Sequence, residues 1–256
     1  MKTPLFSTIA GLLGEMAFPR GCACCGKPIL LSGEEACFGL CSGCRDRLLD
    51  VFSGDPRRCA ICGKPLISER ETCMACRRGP ERSFDGVFSL FPYQWEYRKI
   101  LRAYKFGSRR NLGRFLRECL VRAASSPFWD NKFSAGQAGT FAWVPVPPRP
   151  GKIRKTGWDQ VEYLAKLLEK DGGKVCRCLR RLSSDTQKVL GREKRRVNLR
   201  GKIQVREDYR SGKKKLPETA LVFDDVYTTG STMDACAEAL KSAGTVNVYG
   251  ICLFYD

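Results

Sequence analysis

The sequence predicts an α/β protein in which a parallel sheet follows a small cysteine-rich module. Apolar runs typical of strands alternate with helical patterns between residues 80 and 256. Four Cys-x2-Cys pairs fall between residues 22 and 76. The chain has 256 residues and 43% hydrophobic content, which is enough to bury a substantial core.

The first residues, MKTPLFSTIAGLLGEMAF, combine one lysine with a mostly apolar stretch, as a signal peptide does. Glu15 interrupts this stretch and its apolar side chains recur at helical spacing, so we predict an amphipathic packing helix within residues 1–20. No stretch of the sequence approaches the roughly 18–20 apolar residues that a membrane span needs. Together with the cysteine usage, this predicts a soluble, cytoplasmic protein.

Eight of the fifteen cysteines form the Cys-x2-Cys pairs, and the chain has no histidine. This spacing aims two thiolates at one metal ion, and two pairs complete a closed tetrahedral zinc site. The alternative is a secreted disulfide scaffold, but such scaffolds are usually short chains without scattered single cysteines. We therefore predict two structural zinc sites. The predicted ligands are Cys22, Cys25, Cys41, Cys44, Cys59, Cys62, Cys73 and Cys76.

The spacing leaves open whether neighbouring pairs share a metal ion or alternate pairs do, in a cross-braced arrangement. Gly26 and Gly63 follow the second cysteine of a pair in two similar stretches, CCGKP and CGKP, where the chain must turn tightly. We interpret residues 21–79 as two copies of one unit, a double zinc ribbon whose folding depends on metal. Residues 1–76 hold 9 Lys/Arg against 8 Asp/Glu, which favours a protein partner for this module over nucleic acid.

The remainder, residues 80–256, is predicted to form one domain with a parallel sheet and crossover helices. Strands are predicted over 84–93, 140–147, 220–226 and 246–255. Helices are predicted over 95–106, 111–124, 158–170 and 231–244. Ligands of such sheets bind beyond the carboxyl ends of the strands.

One of these strand ends carries two adjacent carboxylates, Asp224 and Asp225, followed by a hydroxyl-rich loop and a helix. The loop amides, the hydroxyls and the helix N-terminus form a receptor for a phosphate monoester. The carboxylates would repel a bare phosphate, but they suit the vicinal hydroxyls of a ribose attached to it. An ordinary polar turn is the alternative, and it leaves the run of hydroxyls unexplained. A Gly-x4-Gly-Lys loop is absent, so nucleoside triphosphate hydrolysis is not supported.

The stretch VFDDVYTTGST resembles the phosphoribosyl pyrophosphate (PRPP) motif of type I phosphoribosyltransferases. Nearly the whole chain is similar to the ComF family of bacterial proteins linked to competence, which join a double zinc ribbon to a phosphoribosyltransferase domain. The other matching segments are VPVPPRPGKIRKTGWDQ and SSDTQKVLGREKRRVNLRG. Thr156, Trp158 and Asp159 depart from the family, which tends to have Arg, Phe and Asn there.

The resemblance implies a type I phosphoribosyltransferase-like domain that binds PRPP with Mg2+ and transfers its phosphoribosyl group to an unidentified acceptor. It implies that Asp224 and Asp225 hold the ribose hydroxyls as the catalytic pair. The implied 5-phosphate loop is Thr228, Thr229, Gly230, Ser231 and Thr232, and the implied pyrophosphate loop is Pro147, Pro148, Arg149 and Lys155. A competing interpretation of VPVPPRP is a polyproline recognition segment.

Positive charge is concentrated in residues 174–215, which hold 16 Lys/Arg against 4 Asp/Glu. A polyanion near the PRPP site would account for this excess, and single-stranded DNA is the predicted partner. The residues available for base stacking are Trp95, Tyr97, Tyr104, Phe106 and Trp158. The alternative is a solvated basic arm, 192–200 included, beside aromatics that belong to the core.

Two functions are therefore compatible with the sequence. The first is a phosphoribosyltransferase, in which Lys155 and the arginine-rich segment 192–200 are candidates for covering the pyrophosphate. The second is a non-catalytic PRPP-sensing, single-stranded DNA-binding component of the DNA uptake machinery. By resemblance, other DNA-uptake proteins are the expected partners of the zinc ribbon.

Overall fold

A computed structural model describes residues 21–29, 38–52, 57–107, 109–130, 132, 141–182 and 201–256. Two predicted features, the helix within residues 1–20 and the basic segment 192–200, lie outside the described residues. The described residues form two cysteine-bearing turns and the strands and helices that accompany and follow them.

Short helices accompany the cysteine pairs, and longer helices alternate with strands from residue 86 onwards. The helices are α1 (Ser42–Leu49), α2 (Met74–Arg77), α3 (Trp95–Phe106), α4 (Leu112–Ala124), α5 (Lys152–Thr156), α6 (Gln160–Lys170), α7 (Glu207–Arg210) and α8 (Ser231–Lys241), with 3-10 turns at Asp50–Phe52 and Pro127–Trp129. The strands are β1 (Gly86–Pro92), β2 (Ala142–Pro145), β3 (Leu179–Arg181), β4 (Ile203–Val205), β5 (Thr219–Tyr227) and β6 (Asn247–Tyr255). In the described part of the chain, every helix is too short or too polar to cross a membrane.

Four strands form one sheet in the order β1-β6-β5-β2, and every neighbouring pair is parallel. This confirms the predicted parallel α/β architecture, and each predicted strand and helix agrees with the structure to within a few residues at its ends. The strands β3 and β4 were not predicted, and they form a separate antiparallel ribbon.

The sheet is buried on both faces, as parallel sheets usually are. Successive residues of a strand point to opposite faces, so Leu221 and Phe223 of β5 enter one core and Ala220 and Val222 enter the other. The first core is closed by α3, α4 and α6, and the second by α8 and the β3–β4 ribbon.

The cysteine pairs pack against this sheet. Cys22 and Cys44 lie in the first core, whereas Cys59 and Cys62 lie in the second. The two cysteine units therefore cover opposite faces of the sheet. The domain boundary between residues 79 and 80 remains a prediction, and the two sides of it share buried contacts.

Candidate functional site

The eight paired cysteines form two groups, which we call the first and the second cysteine cluster. Within each cluster the four sulfur atoms lie within 4.8 Å of one another. The first cluster is Cys22, Cys25, Cys41 and Cys44, and the second is Cys59, Cys62, Cys73 and Cys76. Of the two arrangements that the spacing left open, the structure has the sequential one.

Each cluster begins with the same tight turn. The amide of its first cysteine, Cys22 or Cys59, donates to the carbonyl five residues later at 2.7–2.9 Å. The glycine amide, from Gly26 or Gly63, donates back to the carbonyl of that cysteine at 2.9 Å. Both glycines have positive φ angles, of 79° and 66°, which side chains disfavour. The predicted repeat of one small unit is therefore present.

The second half of each cluster lies at the start of a helix. Cys41 and Cys73 are the N-cap residues of α1 and α2, so the second pair of each cluster leads directly into a helix. The Cys73 amide also donates to the Cys59 sulfur at 3.4 Å. Four thiolates so arranged fit a tetrahedral ion of intermediate softness, so each cluster could hold a zinc ion.

The acidic pair lies where β5 loses one of its neighbours. β6 pairs with β5 as far as Tyr227, whereas β2 ends at Pro145, opposite Phe223. Proline has no N–H to donate, so β2 cannot continue through the proline-rich segment that follows. Asp224 and Asp225 therefore lie on a buried strand whose β2 side is open.

Two helices bring polar groups to the buried carboxylate of Asp225. The Lys105 ammonium, near the end of α3, lies 2.7 Å from its Oδ2 atom. The side-chain amide of Gln160, at the start of α6, donates to the same oxygen. The Asp225 amide in turn donates to Asp224 Oδ1 at 2.8 Å. Of the two carboxylates, that of Asp225 therefore has a compensating positive charge, from Lys105.

The neighbouring carboxyl has an unusual proton affinity. Burial and the negative charge of Asp225 raise the pKa of Asp224 to about 7, although the positive charges of Lys105 and Arg181 act in the opposite direction. At neutral pH the carboxyl pair therefore carries fewer than two full negative charges, which weakens its repulsion of an incoming anion.

The predicted phosphate loop, residues 228–232, follows β5 directly and includes the first two residues of α8. Gly230 has a φ of 77° and is the N-cap of α8, and a Cβ atom there would lie 2.4 Å from the Tyr227 hydroxyl oxygen. Thr229 Oγ1 and Ser231 Oγ lie 2.7 Å apart. The first amides of α8 have no partner within the helix. The Ser231 amide donates to Thr229 Oγ1 at 3.4 Å, so the five predicted loop residues form a tight polar turn at a helix N-terminus, where backbone amides can bind an anion.

A buried polar atom lies beside this turn. The Tyr227 side chain is buried, and its hydroxyl has no hydrogen-bond partner among the described residues. Tyr227, Asp224 and Gly230 are among the residues that line a small cavity of about 20 Å³ under the loop. An unsatisfied buried hydroxyl is costly, so its place beside the loop is consistent with a polar ligand nearby.

The predicted pyrophosphate loop is only partly assembled. Pro148 and Arg149 line an open depression of about 370 Å³, whereas Pro147 is buried and Lys155 is exposed on α5 outside that lining. Burial and, to a smaller extent, the charge of Arg149 lower the pKa of Arg181.

The residues that depart from the ComF pattern have structural contacts here. Asp159 caps α6 by accepting from the amides of Val161 and Glu162 at 2.9 and 3.0 Å, and its other oxygen lies 2.6 Å from Lys152 Nζ. Trp158 packs edge-on against Tyr104, with 5.3 Å between the ring centroids. Lys152, and not Lys155, therefore joins the segment to the polar network around Gln160.

The predicted stacking aromatics divide into two sets. Tyr104 is fully buried and donates to the Gln160 carbonyl, so it is unavailable to a base, and its inclusion was wrong. Tyr97 stacks on Phe91 in the core. Trp95 and Phe106 are 83% and 80% exposed. Core packing therefore accounts for Tyr104 and Tyr97, but it does not account for Trp95 and Phe106.

Four residues near the acidic pair and the loop were not assigned to the site from the sequence: Lys105, Gln160, Arg181 and Arg82. Lys105 and Gln160 contact Asp225, and Arg82 donates to the Thr229 carbonyl at 2.9 Å. Gln160 could have been found, because it ends the ComF-like segment. The others carry no local signal, since they lie far from the loop in sequence.

No protein-family model and no curated protein matches the chain, so the comparison with known proteins assigns it to no family. The class that the fold and the clusters define is a parallel α/β protein with two four-cysteine clusters that could hold zinc. Any more specific function rests on the site itself and on the motif resemblance.

We expect protein purified without chelator to contain about two zinc ions per chain, because each ion takes four thiolates. Replacing Cys73 and Cys76 with serine should lower the content to about one. Elemental analysis by mass spectrometry measures both values. A metal-free wild-type protein would contradict the assignment of the clusters.

The raised pKa of Asp224 predicts a pH-dependent cost to stability. Its folded-state value of about 7 exceeds the usual 3.8, so the folded protein loses stability as pH rises through this window. Asp224→Asn should therefore stabilise the protein at pH 8 by about 1–2 kcal/mol, less than the full shift because the residue is partly exposed, and little at pH 4. Denaturant unfolding measures this difference, with exposed Glu218→Gln as the control. A variant less stable than wild type at pH 8 would refute the assignment.

Proposed function

We propose that the protein is a PRPP-binding phosphoribosyltransferase-fold protein of the ComF type, which transfers the phosphoribosyl group of PRPP to an acceptor. The observation that carries the proposal is the direct connection of a carboxylate pair, of which Asp225 is buried, to a hydroxyl-lined helix N-terminus. A ligand that satisfies both parts needs vicinal hydroxyls and a phosphate on one small framework. The ribose 5-phosphate half of PRPP has this chemistry.

In this proposal each part of the site has a separate role. Asp224 and Asp225 accept hydrogen bonds from the 2- and 3-hydroxyls of the ribose. The amides and hydroxyls of residues 228–232 donate to the 5-phosphate, at the positive end of the α8 dipole. Lys105 and Gln160 keep the Asp225 carboxylate in place, and the Lys105 ammonium offsets its charge. The loop and the carboxylates therefore select the donor substrate together.

The reaction would displace pyrophosphate from C1 of the ribose through a transition state with oxocarbenium character. Such a reaction depends on positioning and on charge neutralisation, so it needs no histidine. Arg149 and Arg181 are the nearby cations that can face the leaving pyrophosphate. Mg2+, when bound with PRPP, supplies further charge neutralisation, and the carboxylates of Asp224 and Asp225 are oxygen donors of the kind it prefers.

A second candidate function, binding of single-stranded DNA without turnover, is favoured by the exposed surface of α3. Trp95 and Phe106 stand at its two ends, about 16 Å apart at 1.5 Å per residue, and both are largely exposed. Arg98, Lys99 and Arg102 are exposed between them. Aromatic platforms interleaved with basic side chains suit a single strand. A ComF-type role in DNA uptake accommodates this function as well as the enzymatic one.

PRPP with Mg2+ should raise the melting temperature by about 3–6 °C at tenfold excess over its dissociation constant, because it binds only the folded state. The Asp224→Asn, Asp225→Asn double variant should lose this shift, measured against its own ligand-free value. Differential scanning fluorimetry measures both, and Glu218→Gln at the other end of β5 should retain the shift. An unchanged wild-type melting temperature at millimolar PRPP would contradict the proposal.

For the second candidate, Trp95→Ala combined with Phe106→Ala should weaken binding of a fluorescent oligo-dT by about tenfold or more, given about 1–3 kcal/mol per stacked base. Fluorescence anisotropy at fixed salt measures the affinity, with exposed Val246→Ala as the matched apolar control. Pyrophosphate release from PRPP separates the two functions. Tight DNA binding without release for any acceptor favours the binding protein, whereas release favours the enzyme.

A further inference from the structure

The segment between the second cysteine cluster and β1, residues 77–85, runs along the phosphate loop, and we call it the linker. Arg82 Nη2 donates to the carbonyl oxygen of Thr229, within the loop, at 2.9 Å. The next amide, from Ser83, donates to Asp234 Oδ1 in the first turn of α8 at 2.7 Å. The linker therefore contacts both the loop backbone and the helix that follows it.

The end of the linker is fixed at two further points. Asp85 Oδ1 lies 2.5 Å from the Lys241 ammonium at the end of α8. Asp85 Oδ2 accepts from the Val248 amide in β6 at 2.7 Å. These contacts attach the linker to both ends of α8. If the first residues of the linker moved, we therefore expect the phosphate loop to move with them.

The second cysteine cluster is attached to the strand that follows the linker. The Val87 amide donates to the Ile61 carbonyl at 2.9 Å, and the buried Ser89 hydroxyl donates to the Cys62 carbonyl at 2.8 Å. A Cβ atom on Gly63 would lie 2.1 Å from the Val87 carbonyl oxygen. The turn of the second cluster thus packs directly on β1. The linker begins directly after the last cysteine of this cluster and ends at the strand on which the cluster packs, so the cluster positions both of its ends.

Tyr227 extends this contact to the loop. Its ring is buried in the same core as Cys59, Cys62 and Cys76 of the second cluster. Its hydroxyl meets Gly230, the N-cap of α8. A packed connection therefore runs from the second cluster to the loop, beside the hydrogen bond from Arg82.

We propose that the second cysteine cluster, once it holds its metal ion, sets the conformation of the phosphate loop through Arg82, so that anion binding at residues 228–232 depends on this cluster. Metal binding would fix Cys73 and Cys76, and the linker starts directly after them. The first cluster packs in the core of the opposite face and should have no comparable effect. The identity of the anion rests on the proposed function, whereas Arg82 is a positioning residue whose effect can be tested without a ligand.

Hydrogen–deuterium exchange of the ligand-free full chain tests the connection directly. Amides in residues 228–233 should exchange about tenfold faster in Arg82→Ala, because the loop loses a charge-assisted hydrogen bond. Arg82→Lys, which keeps a cationic donor, should restore most of the protection. Arg78→Ala, an exposed arginine of the same linker, is the matched control and should resemble wild type.

The metal dependence is tested by two pairs of substitutions. Cys73→Ser with Cys76→Ser should increase exchange in residues 228–233, while Cys22→Ser with Cys25→Ser should leave it near the wild-type rate. If the first pair prevents folding, Arg82→Ala still decides, since it retains all eight ligands. Unchanged loop exchange in Arg82→Ala at full zinc content, or equal effects of the two cysteine pairs, would overturn the inference.

Calorimetric titration with PRPP and Mg2+ connects the inference to the proposed function. Arg82→Ala should weaken PRPP binding by about tenfold, the factor expected for one lost hydrogen bond to a charged group. Binding of wild-type strength by Arg82→Ala would count against Arg82 as a positioning residue. No binding by the wild-type protein would contradict the proposed function, and the exchange experiment would still decide whether the cluster controls the loop.

Discussion

Two adjacent carboxylates on a strand buried on both faces require cations and hydrogen-bond donors around them, and the surrounding elements supply both. Lys105 comes from α3, Gln160 from α6 and Arg181 from the β3–β4 ribbon. A buried ion is stable only with a partner, so elements from both faces of the sheet must reach this part of β5. The raised pKa of Asp224 shows that this compensation is incomplete at the neighbouring carboxyl.

The sequence was sufficient for the four strands of the sheet and for the helices α3, α4, α6 and α8, because their signals are local. The short helices α1, α2, α5 and α7 were not predicted. Helix α3 was predicted with the bounds it has, since Ile100, Leu101 and Tyr104 recur at helical spacing and all three are buried. The strands of the sheet are continuous apolar runs, as burial on both faces requires. The ribbon of β3 and β4 was missed because each strand has three residues and its partner lies more than twenty residues away. Such pairing is decided by tertiary contacts.

The candidate site was predictable only in its contiguous part. The acidic pair and the loop lie together in the chain, so their residue types were enough to predict this part of the candidate site. The spacing of the cysteine pairs predicted the two cysteine clusters in the same way. Lys105, Arg181 and Arg82 reach the site from other elements, and no spacing links them to it. Tyr104 shows the opposite error, since an aromatic residue at helical spacing belongs to the core here. The packing of the two clusters on opposite faces was also beyond local patterns.

The central claim is that one loop and one carboxylate pair bind the two ends of a ribose 5-phosphate. A crystal structure of the protein with PRPP and Mg2+ tests it most directly. We expect the 5-phosphate to lie against the amides of residues 228–232, with the ribose hydroxyls at Asp224 and Asp225. Ligand density at another surface, with the loop and the carboxylates unoccupied at saturating PRPP, would contradict it.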